Sequence, residues 1–168
     1  AANQPLYAFL GGQQKPIESD LTIGIGTPED MAKQAVAFVA KGVTMIKVKL
    51  GKQPADDIER IKQIRSAIGE KTILRIDANQ GWSKEEALPV LTALSVYDIQ
   101  FCEQPMHKYY DDYLPALCAA SPIKIMADES VFTHHEARKL IQQKACHYIN
   151  IKFSKSGGIH EAIKIHDI

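Results

Sequence analysis

The chain has 168 residues, enough for one domain with a sizeable core, and its 20 basic residues match its 20 acidic ones. Zero net charge, with the basic residues dispersed along amphipathic segments, gives no electrostatic case for nucleic acid or a membrane surface. No apolar stretch approaches the ~18 residues that span a bilayer, and the start Ala1-Ala2-Asn3-Gln4 has no charged-then-apolar signal pattern, so a soluble, cytoplasmic protein is expected.

In chain order, strand and helix patterns alternate. After a stretch to about Asp20 comes a strand near Leu21-Thr22-Ile23-Gly24-Ile25. A helix then starts at Thr27-Pro28-Glu29-Asp30, with an N-cap threonine, proline in the first turn and two acids facing the helix dipole. It ends near Lys41-Gly42, a basic residue before a glycine C-cap. A second helix fits Ala55 to Ile68, where Ile58, Ile61, Ile64 and Ile68 repeat at helical spacing, and a third fits Ser83 to Leu94, with Ser83 and Glu86 at capping-box spacing. Further helices fit Tyr110 to Ala120, Thr133 to Gln142 and Gly158 onward. Cys102, Cys118 and Cys146 are far apart and form no C-x-x-C pair, so they read as free thiols. The adjacent His134 and His135 point in different directions on a helix and do not chelate as an i, i+4 pair would.

Between the helices, short β-branched runs end in charged residues: Lys49, Asp77, Glu103, Asp128 and Lys152, at gaps of about 24 to 28 residues. That period is close to one strand-plus-helix unit of a parallel (β/α) barrel, in which about 250 residues make eight units. Residues at successive C-terminal strand ends converge on one mouth of such a barrel. The fold class expected is therefore α/β, a TIM-type (β/α) barrel of which about six units are visible. Residues 1–20 would lead into it and residues 21–168 would form the partial barrel. Because the chain stops inside an apparent helix at Ile165-His166-Asp167-Ile168 and opens on what reads as the tail of an earlier element, a segment of a larger protein is expected.

Three carboxylates meeting at one mouth repel one another unless a cation neutralises them, and hard oxygen ligands suit Mg²⁺, with Mn²⁺ the alternative. The same ion could hold a substrate carboxylate, with lysines facing the carbon beside it. A lysine works as a base there only if its pKa falls from about 10.4 toward 7–8. A bound ion and Lys47, two positions before Lys49 on the same strand face, are the like-charge neighbours that would lower it.

At these positions the chain resembles a known family. Lys47-Val48-Lys49, Asp77-Ala78-Asn79-Gln80-Gly81-Trp82, Glu103-Gln104-Pro105, Ala127-Asp128-Glu129-Ser130 and Asn150-Ile151-Lys152, followed by Lys155-Ser156-Gly157-Gly158-Ile159, are similar in order and spacing to the enolase superfamily. Within it they are most like the muconate-lactonizing subgroup, and especially the L-Ala-D/L-Glu (dipeptide) epimerases. The resemblance implies Mg²⁺ held by Asp77, Glu103 and Asp128, with Lys49 and Lys152 as the acid/base pair of a 1,1-proton transfer through a metal-stabilised enediolate. Lys47 would sit against the substrate carboxylate, Thr22 would contact substrate, and Asn79 and Glu129 would stand behind the ligands. Lys155 competes with Lys152 for the second acid/base role; strand alternation from Asn150 favours Lys152.

The resemblance further implies a small-molecule substrate, a dipeptide or other carboxylate. Muconate cycloisomerases and o-succinylbenzoate synthases share the same lysines and acids, and one of these activities is the alternative. A second alternative is a catalytically incomplete fragment lacking the last barrel units and an N-terminal capping domain. Its two open sheet edges would invite a partner segment or a second copy, hence a homo-oligomer.

Overall fold

The computed structural model describes residues 3–168; Ala1 and Ala2, the first residues of the expected lead-in segment 1–20, lie outside the described residues. The elements are α1 (Leu6–Phe9), β1 (Leu21–Ile23), α2 (Pro28–Ala40), β2 (Met45–Lys49), α3 (Pro54–Ile68), β3 (Ile73–Asp77), α4 (Lys84–Leu94) and β4 (Ile99–Glu103). They continue with α5 (Leu114–Ala120), β5 (Ile125–Ala127), α6 (His134–Gln142), β6 (Tyr148–Ile149), α7 (Phe153–Ser156) and α8 (Ile159–His166). The six strands form one parallel sheet in the order β1-β2-β3-β4-β5-β6, helix following strand, as in consecutive units of a TIM-type barrel. No helix among the described residues is long and apolar enough to cross a membrane.

The caps sit where the sequence put them. Thr27 Oγ1 accepts the Asp30 amide at 3.2 Å and Pro28 opens α2. At α4, Ser83 Oγ accepts from the Glu86 amide and Glu86 reaches back to the Ser83 amide, closing the capping box. Glu136 folds back in the same way onto the amides of Phe132 and Thr133.

Several expected elements are shorter than the sequence suggested: β1 ends at Ile23 rather than Ile25 and β5 at Ala127 rather than Asp128. The helix expected from Tyr110 is a 3₁₀ stretch over Lys108–Tyr113 followed by α5, because Pro115 has no N–H to give the Asp111 carbonyl, which takes the Leu114 amide instead. Strand β6 stops at Ile149, short of Lys152. The Asn150 amide still reaches Ala127 O, but the Asp128 and Asn150 carbonyls beyond accept from the Lys155 ammonium.

Alternation divides the sheet. Ile46, Val48, Leu74, Ile76, Cys102 and Ile125 face the helices and are buried against Ile61, Ile64, Leu91, Leu94 and Leu117. The opposite face carries Lys47, Lys49, Arg75, Asp77 and Glu103. Between β3 and β4 the register shifts by one residue: Leu74 pairs with Ile99, yet Ile76 pairs with Cys102 and Asp77 with Glu103. Strict alternation would bury the Gln100 amide in the apolar layer. The extra residue puts Ile99 there instead, leaving Gln100 exposed and accepting from Arg75 Nε at 2.6 Å.

Candidate active site at the C-terminal rim of the sheet

The charged strand ends form one connected cluster. Lys49 Nζ donates to Asp77 Oδ2 at 2.7 Å and to Asn79 Oδ1 at 2.6 Å. Lys47 Nζ lies 3.4 Å from Asp77 Oδ2 and 3.1 Å from Glu103 Oε2. On the far side of Glu103, Asn150 Nδ2 donates to Oε1 at 2.7 Å and Lys152 Nζ stands 3.8 Å away while bonding Asp128 Oδ2. The sequence-predicted acids and lysines therefore share one rim. Thr22 stands in register with Lys47 on β1, exposed and with no hydrogen bond to the group among the described residues.

Burial separates the two kinds of charge. Asp77 is 0 %, Glu103 1 % and Asp128 1 % exposed, whereas the Lys152 side chain is 41 % exposed. Burial, together with the neighbouring Asp77 charge, pushes the Glu103 carboxyl above the usual range despite bonds from Asn150 and Lys47. Burial pushes Asp128 the same way, but bonds from Lys152 and Lys155 overcome it and hold that carboxyl below its usual value. Burial lowers Lys47 and Lys152, and in each case the facing carboxylates outweigh it and raise the amine. At Lys152 it is Asp128 and Glu103 that stabilise the charged form.

Lys155, the competitor of Lys152, is placed differently. It is 13 % exposed, donates to the main-chain carbonyls of Asp128 and Asn150, and pairs with Asp128 Oδ1. Lys152 faces open space and Lys155 braces the loop behind it. Glu129 accepts from Asn79 Nδ2 at 3.3 Å, linking it through Asn79 to Lys49.

As they stand, no three carboxylate, imidazole or thiol groups among the described residues are arranged to hold a metal ion. Each acid takes its neutralising charge from a lysine. The donor set nevertheless fits Mg²⁺: the oxygens are hard and anionic, and beside them Glu129 Oε2 is buried with no hydrogen-bond partner among the described residues. Closing around an ion would require the ammonium contacts to loosen.

The loops behind the rim are tightly built. A Cβ on Gly51 would lie 1.9 Å from Ala78 O, and one on Gly81 1.9 Å from Gly51 O, so only glycines let these two loops touch. Trp82 packs beneath them rather than walling a pocket: it is 2 % exposed and its Nε1 donates to Asp57 Oδ2 at 2.9 Å. Asn79, Gln80 and Gln104 all have positive φ, and Asn79 is held by its amide bonding Asp77 Oδ1. The sequence reading assigned no role to Asn150 or Gln104. The signal for Asn150 was its strand phase, two residues before Lys152; Gln104 carried none beyond standing next to Glu103. The histidines stay outside, with His134 bonding Glu161 in α8, and the three cysteines are free.

A parallel βα sheet with acids and lysines gathered at its C-terminal rim defines a barrel-enzyme type of site. The Enolase C-terminal domain-like family model matches residues 30–168, and the chain belongs to that family. It is 48 % identical over 165 residues to the D-Ala-D/L-Ala epimerase of Cytophaga hutchinsonii, covering 98 % of this chain and 45 % of that protein. It is 42 % identical to the L-Ala-D/L-Glu epimerase of Clostridium acetobutylicum, covering 96 % of this chain and 46 % of that one. The crystal structure of the Cytophaga hutchinsonii dipeptide epimerase with Mg and the dipeptide D-Ala-L-Val superposes with a TM-score of 0.94 at 47 % identity, covering 97 % of this chain and 45 % of that one. The chain spans about half the length of the relatives it matches.

Proposed function

We propose that the chain forms the catalytic barrel portion of a Mg²⁺-dependent dipeptide epimerase. The observation that carries this reading is that two lysines enter the buried carboxylate cluster from opposite ends, Lys49 against Asp77 and Lys152 against Asp128. Two amines separated across one site suit removal of a proton from one face of a carbon and delivery to the other. Support for a dipeptide comes from relatives named for D-Ala-D/L-Ala, L-Ala-D/L-Glu and hydrophobic dipeptides. In the first two names the residue written D/L is the second of the dipeptide, which carries a free carboxylate and an acylated nitrogen.

Asp77, Glu103 and Asp128 would hold the ion, Mg²⁺ before Mn²⁺. When bound, it supplies positive charge beside the substrate carboxylate, so negative charge building there on proton removal is stabilised. Lys47 adds its ammonium on the same side. With one lysine Nζ neutral, it takes the α-proton of the C-terminal residue while the charged Nζ opposite returns one. Lys49 and Lys152 would exchange the acid and base roles according to which epimer is bound. Asn79 ties Lys49 to Glu129 and limits its reach. Thr22, in register with Lys47, would contact substrate.

The test is incubation of the full chain with Mg²⁺ and L-Ala-L-Glu or D-Ala-L-Ala in deuterated water. Solvent deuterium at the C-terminal α-carbon with both epimers formed is expected. Elimination or ring chemistry without epimerisation, or no exchange with either dipeptide, would sink the proposal.

A further inference from the structure

Gln104 follows Glu103 directly, is 1 % exposed, and has every hydrogen-bonding position of its side chain engaged, three of the four bonds going to the loop after β5. Its Oε1 accepts from the amides of Asp128 at 2.9 Å and Ser130 at 3.3 Å. Its Nε2 donates to Ser130 Oγ at 2.8 Å and Met106 O at 3.2 Å. Ser130 Oγ passes the connection on to Asp111 Oδ1 at 2.6 Å. The Gln104 carbonyl meanwhile accepts the Gln80 amide at 2.9 Å, so one residue joins the loops after β3, β4 and β5.

The backbone there is strained. Gln104 has φ of 37°, a region that a side-chain-bearing residue keeps only where its surroundings over-determine it. The bonds just described are what over-determine it.

We propose that Gln104 is a positioning residue that fixes the spacing between the Glu103 and Asp128 carboxylates. It is covalently next to one acid and hydrogen-bonded to the main chain of the other. Other groups aim the carboxylates, Asn150 at Glu103 and Lys152 at Asp128; Gln104 sets how far apart their backbones stand. The inference rests on the reading that these two acids help to hold Mg²⁺, and goes beyond it by naming what keeps them at ion-sharing distance. Gln104 itself touches neither ion nor substrate.

The experiment measures the apparent Mg²⁺ Kd of the full chain without substrate, from the rise of the thermal midpoint with Mg²⁺ concentration. Gln104→Met keeps the length and removes the bonds; Gln104→Gly removes the clamp while relieving the positive φ, so it folds more readily. Ile61→Val, in the apolar core on α3, controls for lowered stability alone. The Kd is expected to rise about 10- to 100-fold in the Gln104 variants, as when a residue supporting a metal ligand is lost, and to stay unchanged in Ile61→Val. A Kd within twofold of wild type in whichever Gln104 variant folds overturns the inference and leaves the proposed function standing. A wild-type chain that does not respond to Mg²⁺ removes the metal reading and the inference together. Amide hydrogen exchange of the wild type needs no variant: slow exchange at Asp128 and Ser130 is expected, and fast exchange at either overturns the clamp.

Discussion

Asp77 and Glu103 stand in register on adjacent strands, and Lys47 bridges them, its Nζ 3.4 Å from one carboxylate and 3.1 Å from the other. Two buried acids side by side repel, and the ammonium between them is what makes the pair tolerable without a metal ion. Lys47→Met should therefore cost about 3 kcal/mol, the lower end for breaking a buried pair, and drop the thermal midpoint by roughly 6–12 °C. Saturating Mg²⁺ should then raise the variant's midpoint more than the wild type's, because the uncompensated acids bind it more strongly. An equal or smaller rise would mean that the two acids do not share an ion.

The two lysines should fail on different sides. Lys49→Ala and Lys152→Ala should each slow epimerisation by about 10²–10⁴-fold, typical for removal of an acid/base group. Each should still exchange the α-hydrogen of one epimer, and the two variants should favour opposite epimers, read by mass spectrometry in deuterated water. The same epimer surviving in both would disprove facing roles.

Four carboxylates, Asp77, Glu103, Asp128 and Glu129, and four ammonium groups, Lys47, Lys49, Lys152 and Lys155, leave the rim without net charge. A divalent cation and an anionic dipeptide should therefore each bind better when the other is present. Calorimetric titration of Mg²⁺ with and without dipeptide should show an affinity ratio of about 5- to 150-fold, the usual span of coupling between sites. Independent binding would contradict this charge balance.

Away from the rim, Glu161 accepts from the His134 amide and from its ring, and these bonds hold its carboxyl at about 2, below the ordinary 4.5. A depressed carboxyl contributes stability that is present above its unfolded pKa and lost as pH falls through the folded one. The midpoint difference between wild type and Glu161→Gln should shrink as pH falls from about 4.5 to 2. A difference that grows on acidification would reverse the assignment.

Gly81→Ala should be among the most damaging single changes. Its Cβ would fall 1.9 Å from Gly51 O, and what must move is backbone rather than the end of a side chain. The loss should exceed ~3 kcal/mol, above the usual range for overpacking, seen as a midpoint lowered by more than about 6 °C. A variant as stable as wild type would show that the two loops can part.

The strand-end acids and lysines were readable because a barrel turns a sequence period into spatial neighbours, and Thr27, Pro28 and Ser83 announced their helices by local hydrogen bonding that needs no tertiary context. What stayed hidden depends on partners far along the chain. The Lys152 amine rises because of Asp128 and Glu103, charges 24 and 49 positions away that no local pattern weighs. Pro115 was visible, yet its consequence for the helix before it was not drawn from helical spacing alone. Gln104 looks like any loop glutamine until the Asp128 amide is known to lie against it.

The extra residue in β4 acts as slack between two halves of a strand. Below it, Ile99 answers to the demands of oil; above it, Glu103 answers to those of chemistry, and neither half dictates the phase of the other. A chain without Gln100 would straighten that strand and still bring Glu103 beside Asp77, so length changes beneath the kink are absorbed before they reach the rim.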